Sequence, residues 1–305
     1  MREFRPMQRN RETVMALTVF LALVALSLLQ PFSAITLWLF PFPVIAISVL
    51  QPRMYASTMA VIAGFVLVLA GFGWLALFFI IALYFLAWSI RENILNNKSP
   101  YLSVITITLV FVMLELVLLA LIHWSGIDII SVMKSQLKQS IAQDEALMKS
   151  LGYNSDNAIS QTLTWIQTMF PAMLSLVALA GAMANVWLLR WNLKARYDIP
   201  PLLRNWKLPY SVLLVYILSL SLILLQAFKS TPLLWQLMQN IELIGAFLIG
   251  IQGISFIWRI VGRFRFRAVI LIIAIAASFL SIISMLYVVL GVVDIVNETR
   301  LRRKQ

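Results

Sequence analysis

The chain has 305 residues, 62% of them hydrophobic and only 12% charged, with a mean hydropathy of +0.92. Soluble domains carry about a quarter charged residues, so this composition excludes an ordinary water-borne domain. Its formal net charge is +12. That charge sits in short stretches between apolar runs, which points to membrane orientation and anionic lipid headgroups rather than nucleic acid. Cysteine is absent and histidine occurs once, at His123. Disulfides, thiolate chemistry and iron–sulfur clusters are therefore excluded, and almost no material remains for a transition-metal site.

Nine apolar segments follow one another, over roughly 12–30, 34–50, 54–70, 72–90, 101–123, 163–189, 209–228, 236–258 and 268–292. Backbone amides in hydrocarbon must be satisfied within their own segment, and no ten-residue alternating strands are visible. The expected fold is therefore an all-α, polytopic transmembrane helix bundle. The first segment has no small-residue cleavage site after it and is expected to stay as a helix. It follows a basic arm, 1–11, with Arg2, Arg5, Arg9 and Arg11. The second segment is short and flanked by Pro31, Pro41 and Pro43, and Gly71-Phe72-Gly73 marks a turn between the third and fourth.

The fifth segment buries an ionisable residue, Glu115, with Thr108 on the same face and His123 at its end. An acid inside a span costs about 2.5–3.5 kcal/mol on insertion scales, so Glu115 is either a cation, proton or substrate contact or a neutral packing residue. In the following loop, Ile130, Met133, Leu137, Ile141, Met148 and Leu151 share one helical face, predicting an outer amphipathic helix over 129–151. The sixth segment aligns Gln167, Pro171, Ser175, Ala178, Ala182 and Asn185 within about 80° of arc. Small residues there permit close helix approach, and Gln, Ser and Asn offer interhelical hydrogen bonds. Pro171 frees the carbonyl of Gln167 and predicts a kink. The eighth segment repeats the pattern with Gln239, Glu242, Gly245, Gln252 and Gly253.

Basic residues assign the sides. Arg53, Arg91 and Lys98 fall with the N-terminal arm, as do Arg190, Lys194, Arg196, Arg204 and Lys207, and then Arg259, Arg263, Arg265 and Arg267. This places the N-terminus in the cytoplasm. Trp187, Trp191, Trp206 and Trp258 fit an interfacial belt at that boundary. Nine crossings leave Arg300, Arg302, Arg303 and Lys304 on the outside, against the rule. The expected organisation is a basic arm (1–11), a six-helix bundle (12–190), a basic cytoplasmic loop (191–208), a three-helix extension (209–293) and a basic tail (294–305).

Nucleotide-binding loops, dinucleotide fingerprints, zinc-protease motifs and a Ser–His–Asp set are all missing, so no enzyme, cofactor or metal is expected. Phe170-Pro171, Asn185, Arg190, Pro200-Pro201, Trp206, Leu208-Pro209, Asn240, Gln252-Gly253 and Leu290-Gly291-Val292-Val293-Asp294 occur in an order that resembles the YybS-like family of bacterial membrane proteins, as does Pro41-Phe42-Pro43. The resemblance implies a bacterial plasma membrane. That family is in turn distantly similar to the substrate-binding S components of energy-coupling-factor transporters and to the MreD shape proteins. The first six segments match an S component in count and orientation, although the first has no alanine-spaced coupling motif, the nearest small-residue ladder being Ala56, Ala60 and Gly64.

Two functions follow as expectations. One is small-molecule recognition or uptake through an outward-facing pocket lined by Glu115, Gln167, Ser175, Asn185, Glu242 and Gln252. The other is a non-transporting, MreD-like scaffold for envelope or division proteins, in which the same polar residues hold helices together. Under either, Arg190, Lys194, Arg196, Arg204, Arg259, Arg263, Arg265 and Arg267 face anionic lipid or a membrane-protein partner.

Overall fold

The computed structural model describes residues 6–29, 32–126, 155–193, 206–261 and 267–302 except 279, together with Tyr197 and a few positions between 128 and 139. Among these, regular structure is helical throughout: α1 (Pro6–Ser27), α2 (Phe32–Leu39), α3 (Pro41–Leu50), α4 (Arg53–Leu69), α5 (Leu75–Leu95), α6 (Pro100–Trp124), α7 (Ser155–Leu193), α8 (Tyr210–Leu224), α9 (Pro232–Val261), α10 (Arg267–Ala277) and α11 (Ser281–Arg302). The amphipathic helix expected over 129–151 lies largely outside the described residues. The chain folds as two units, one of residues 1–121 with 177–202 and the other of residues 122–176 with 203–305. Helix α7 therefore contributes its first part to one unit and its second part to the other.

In the first unit, α2 runs into α3 through Phe40, whose amide still donates to the Thr36 carbonyl at 3.1 Å. Pro41 cannot continue the ladder but suits the first turn of a new helix. Every residue of α3 is buried. It packs against α1, α4 and α5. Phe40 anchors the junction, its ring edge-on to Phe20 at 5.9 Å and to Phe79 at 6.1 Å. Ser48 spends its hydroxyl on the Ile45 carbonyl (2.7 Å) and the Ala87 carbonyl of α5 (3.0 Å). The expected α4–α5 turn is present, with Gly71 and Gly73 at φ +90° and +51°, values that favour glycine. The ladder Ala56, Ala60 and Gly64 is buried on α4, and Gly64 lies directly against Ile80 of α5. Those small residues thus serve packing inside this unit.

The second unit pairs α8 with α9 in opposite directions. Trp206 and Leu208, just before α8, meet Ser255 and Gln252, whereas Tyr216, further along, meets Gly245. The segment expected as one helix over 268–292 is two, α10 ending at Ala277 and α11 beginning at Ser281. Tyr287 Oη donates to the Ala274 carbonyl at 2.9 Å. In an unbroken helix those thirteen residues would span about 20 Å, so the chain doubles back. Helix α11 then runs in the same direction as α9. Asp294, late in α11, reaches Arg259, late in α9, while Gly253 abuts the Tyr287 carbonyl and Gly291 abuts the Ile249 carbonyl.

Helix α6 explains why this chain requires lipid. Only Ser103, Val104, Ile107, Phe111 and Glu115 of its 25 residues are buried. Ile105, Leu109, Met113 and Leu116 point outward and are more than half exposed. A contiguous apolar surface of this kind is a liability in water and the ordinary state in acyl chains. Among the described residues, four helices are long and apolar enough to span a bilayer: Leu75–Leu95, Pro100–Trp124, Ser160–Leu193 and Pro232–Val261. The shorter apolar helices Thr36–Leu50, Arg53–Leu69, Tyr210–Leu224 and Ile282–Asn297 accompany them.

Candidate functional site

Pro171 sits inside α7 and has no amide to offer the Gln167 carbonyl. Two side chains of α9 cover the defect. Gln236 Nε2 donates to the carbonyls of Gln167 (3.5 Å) and Thr168 (3.2 Å). Asn240 fits into the next rung: its Nδ2 donates to the Thr168 carbonyl at 2.7 Å, and its Oδ1 accepts from the Ala172 amide at 2.8 Å. Asn240 Nδ2 also donates to its own helix at the Gln236 carbonyl (2.7 Å). One buried carboxamide therefore bridges the two groups that an undisturbed helix would join to each other, and ties α7 to α9 in doing so.

A second polar joint lies near the end of α9. Gln252 is fully buried; its Oε1 accepts from the Leu208 amide at 3.2 Å, and its Nε2 donates to the Asp294 carboxylate. Arg259 donates to the same carboxylate oxygen, so Asp294 is held by an amide and a guanidinium together. Ser255 Oγ donates to the Trp206 carbonyl at 3.4 Å. A buried charge is tolerated when it is paired and hydrogen-bonded, and Asp294 is both. Glycines 253 and 291 set how closely the α9 and α11 backbones approach, because a Cβ at either would strike a carbonyl of the other helix.

The first unit has its own polar contact. Asn185 Nδ2 donates to the Trp38 carbonyl (2.6 Å) and the Gly181 carbonyl (2.8 Å). Trp38 packs edge-on to Phe111 at 4.7 Å and 88°, and Gly181 leaves room for both rings. Glu115, one turn beyond Phe111 on α6, is 8% exposed, and neither of its oxygens has a hydrogen-bond partner among the described residues.

The residues expected to line one ligand pocket are thus distributed between two units. Glu115 and Asn185 belong to the first; Gln167, Ser175, Glu242 and Gln252 belong to the second. Gln167 is exposed, Ser175 returns its hydroxyl to the Pro171 carbonyl, and Glu242 is half-buried with no hydrogen bond or ion pair among the described residues. Asn185 and Gln252 are engaged in helix-to-helix bonds. Of the basic set, Arg259 is the Asp294 partner and Arg190 is half-buried on α7. Arg267 opens α10, and Lys194, Arg196, Arg204, Arg263 and Arg265 lie outside the described residues. Trp206 is only 6% exposed, so it is a core residue and not part of an interfacial belt. No group of three or more histidines and acids that could hold a metal ion occurs among the described residues.

Apolar helices facing outward, with their polar side chains turned to one another, define a multi-pass α-helical membrane protein in contact with the lipid bilayer. The family described as "Predicted membrane protein (DUF2232)" matches residues 16–295, and the chain belongs to that YybS-like family. It is 28% identical over 211 residues to "Uncharacterized protein YybS" of Bacillus subtilis (strain 168), covering 65% of this chain and 67% of that protein. No solved structure matches it significantly. Some of the segments that carry the sequence resemblance meet in the second unit: the α7 turn at Pro171 with Asn240, and Gln252 with Asp294.

Proposed function

We propose that this protein is a non-transporting scaffold of the bacterial plasma membrane, with its N-terminal arm in the cytoplasm. One observation carries the reading: amide side chains within the spans bond from helix to helix. Asn185 bonds to the Trp38 carbonyl, Gln252 to Asp294 and the Leu208 amide, and Asn240 to the Thr168 carbonyl and the Ala172 amide beside Pro171. A carrier pocket needs convergent polar groups that are free to meet its cargo. The basic loops support the orientation. So does the α10–α11 hairpin, because Asp294 beside Arg259 brings Arg300 and Arg302 to the same end of the unit as Arg259 and removes the topological conflict of nine crossings.

The chain lacks cysteine, so single cysteines at Lys207 and Gln305 can be labelled without background. Both should react with an impermeant maleimide only from the cytoplasmic side; labelling from opposite sides would overturn the orientation. Native mass spectrometry of the detergent-purified protein tests the role itself. A stable protein partner and no stoichiometric small molecule are expected, and a reproducible one-to-one small-molecule adduct would contradict the scaffold. A second reading, recognition of a small cationic or neutral ligand, is favoured by Glu115, whose two buried oxygens are without partners among the described residues. On that reading the adduct would be present and Glu115→Gln would abolish it.

A further inference from the structure

Helix α4 begins at Arg53, after Pro52, with no side chain capping its first turn. Beside this start is a cleft between α3, α4 and α5, lined by Ser48, Arg53, Ser57, Tyr84, Trp88 and Arg91 and by two alanines. Two arginines therefore line one cleft with an uncapped helix N-terminus, where backbone N–H groups and the helix dipole both favour an anion. Arg91 Nε is buried and has no hydrogen-bond partner among the described residues. Arg53 is bridged to Glu92 at 3.1 Å, but its side chain is still 57% exposed. Two cations against one carboxylate leave the cleft positive.

The empty space is about 250 Å³ including its open mouth. Much of it lies in the open mouth, so the cleft encloses no whole metabolite, and its mouth suits one small anionic group. The surroundings identify what carries that group. Tyr84 and Trp88 are 55% and 51% exposed, and with Leu77 and Ile81 they form an outward apolar stripe along α5 leading away from Arg91. Guanidinium at one end and an apolar stripe from there along the helix match a phosphate headgroup with its acyl chain. An aqueous phosphate would make no use of the stripe.

We propose that the Arg53–Arg91 cleft binds the headgroup phosphate of an anionic phospholipid, whose acyl chain lies along Leu77, Ile81, Tyr84 and Trp88. The site is independent of the scaffold reading. It is tested by reconstituting the full chain in bilayers of phosphatidylglycerol and phosphatidylethanolamine, then counting lipids retained during gradual delipidation by native mass spectrometry. The wild type should hold one phosphatidylglycerol after the others have left. Arg91→Gln should lower that occupancy about tenfold, whereas Lys98→Gln, which removes a charge from the same end of α5, should leave it unchanged. If Arg91→Gln does not fold, Ser57→Asp, which adds a negative charge at the mouth, should have the same effect. Wild-type retention in the tested variant would overturn the proposal. So would equal loss in Lys98→Gln, or stabilisation of the detergent-solubilised protein by inorganic phosphate equal to that by phosphatidylglycerol.

Discussion

The two units hold their helices together by different means. The first surrounds a helix: all ten residues of α3 are buried, and its side chains, Phe42, Ile45 and Ile47 among them, join one apolar core with α1, α4 and α5. In the second, the buried apolar cluster among the described residues is small, built on Leu213, Ile249 and Ile295. Its joints are the Asn240 bridge, the Gln252–Asp294–Arg259 group and the backbone approach at Gly253 and Gly291. Lipid tails are as apolar as leucine, so burial alone does not drive helices together in a membrane. A unit can then gain association by dense packing around an enclosed helix, or by polar groups and close backbones that lipid cannot replace.

Substitutions should separate the two modes, read as unfolding free energies in bicelles. The largest effect is expected for Phe42→Ala, which empties a fully buried position in α3 and should cost about 4 kcal/mol. Gly253→Leu comes next, at about 3 kcal/mol, because its side chain would press on the Tyr287 carbonyl, which is backbone and cannot rotate away. Asn240→Leu should cost about 2 kcal/mol, since two interhelical hydrogen bonds of about 0.6 kcal/mol or somewhat more each are lost and the buried Ala172 amide loses its acceptor. Leu109→Ala, on the outward face of α6, should stay within about 0.5 kcal/mol. If Leu109→Ala costs as much as Phe42→Ala, the contrast between buried and lipid-facing positions is lost.

Much of this was legible in the sequence because the bilayer imposes simple constraints. Apolar length located α4 to α9, Gly71 and Gly73 located a turn, and Pro171 announced a broken ladder. The ninth segment was not legible: its residues are apolar on both sides of the break between Ala277 and Ser281, so hydropathy reads two helices as one. The Arg300–Lys304 tail on the wrong side was the available sign of that fold-back. The grouping of Gln167, Ser175 and Asn185 on one face was read correctly as periodicity, yet α7 passes from one unit to the other between Leu176 and Val177. A face shared along one helix does not guarantee a shared environment. Asn240 and Asp294 gave a signal only through the resemblance, because a lone amide or acid in a span does not name its partner. Arg53 and Arg91 registered as topological charges, and their cleft depends on α4 and α5 being brought side by side.

The central claim is that polar side chains in the second unit repair and join helices. The most direct test is a thermodynamic cycle combining Pro171→Ala with Asn240→Leu. Alanine at 171 removes the ring that disturbs this turn of α7, so the Ala172 amide can close directly on the Thr168 carbonyl and Asn240, which bridges that pair, should matter much less, giving a coupling of about 1 kcal/mol or more. Additive effects, within about 0.3 kcal/mol, would mean that Asn240 does not serve the proline gap and would contradict the account.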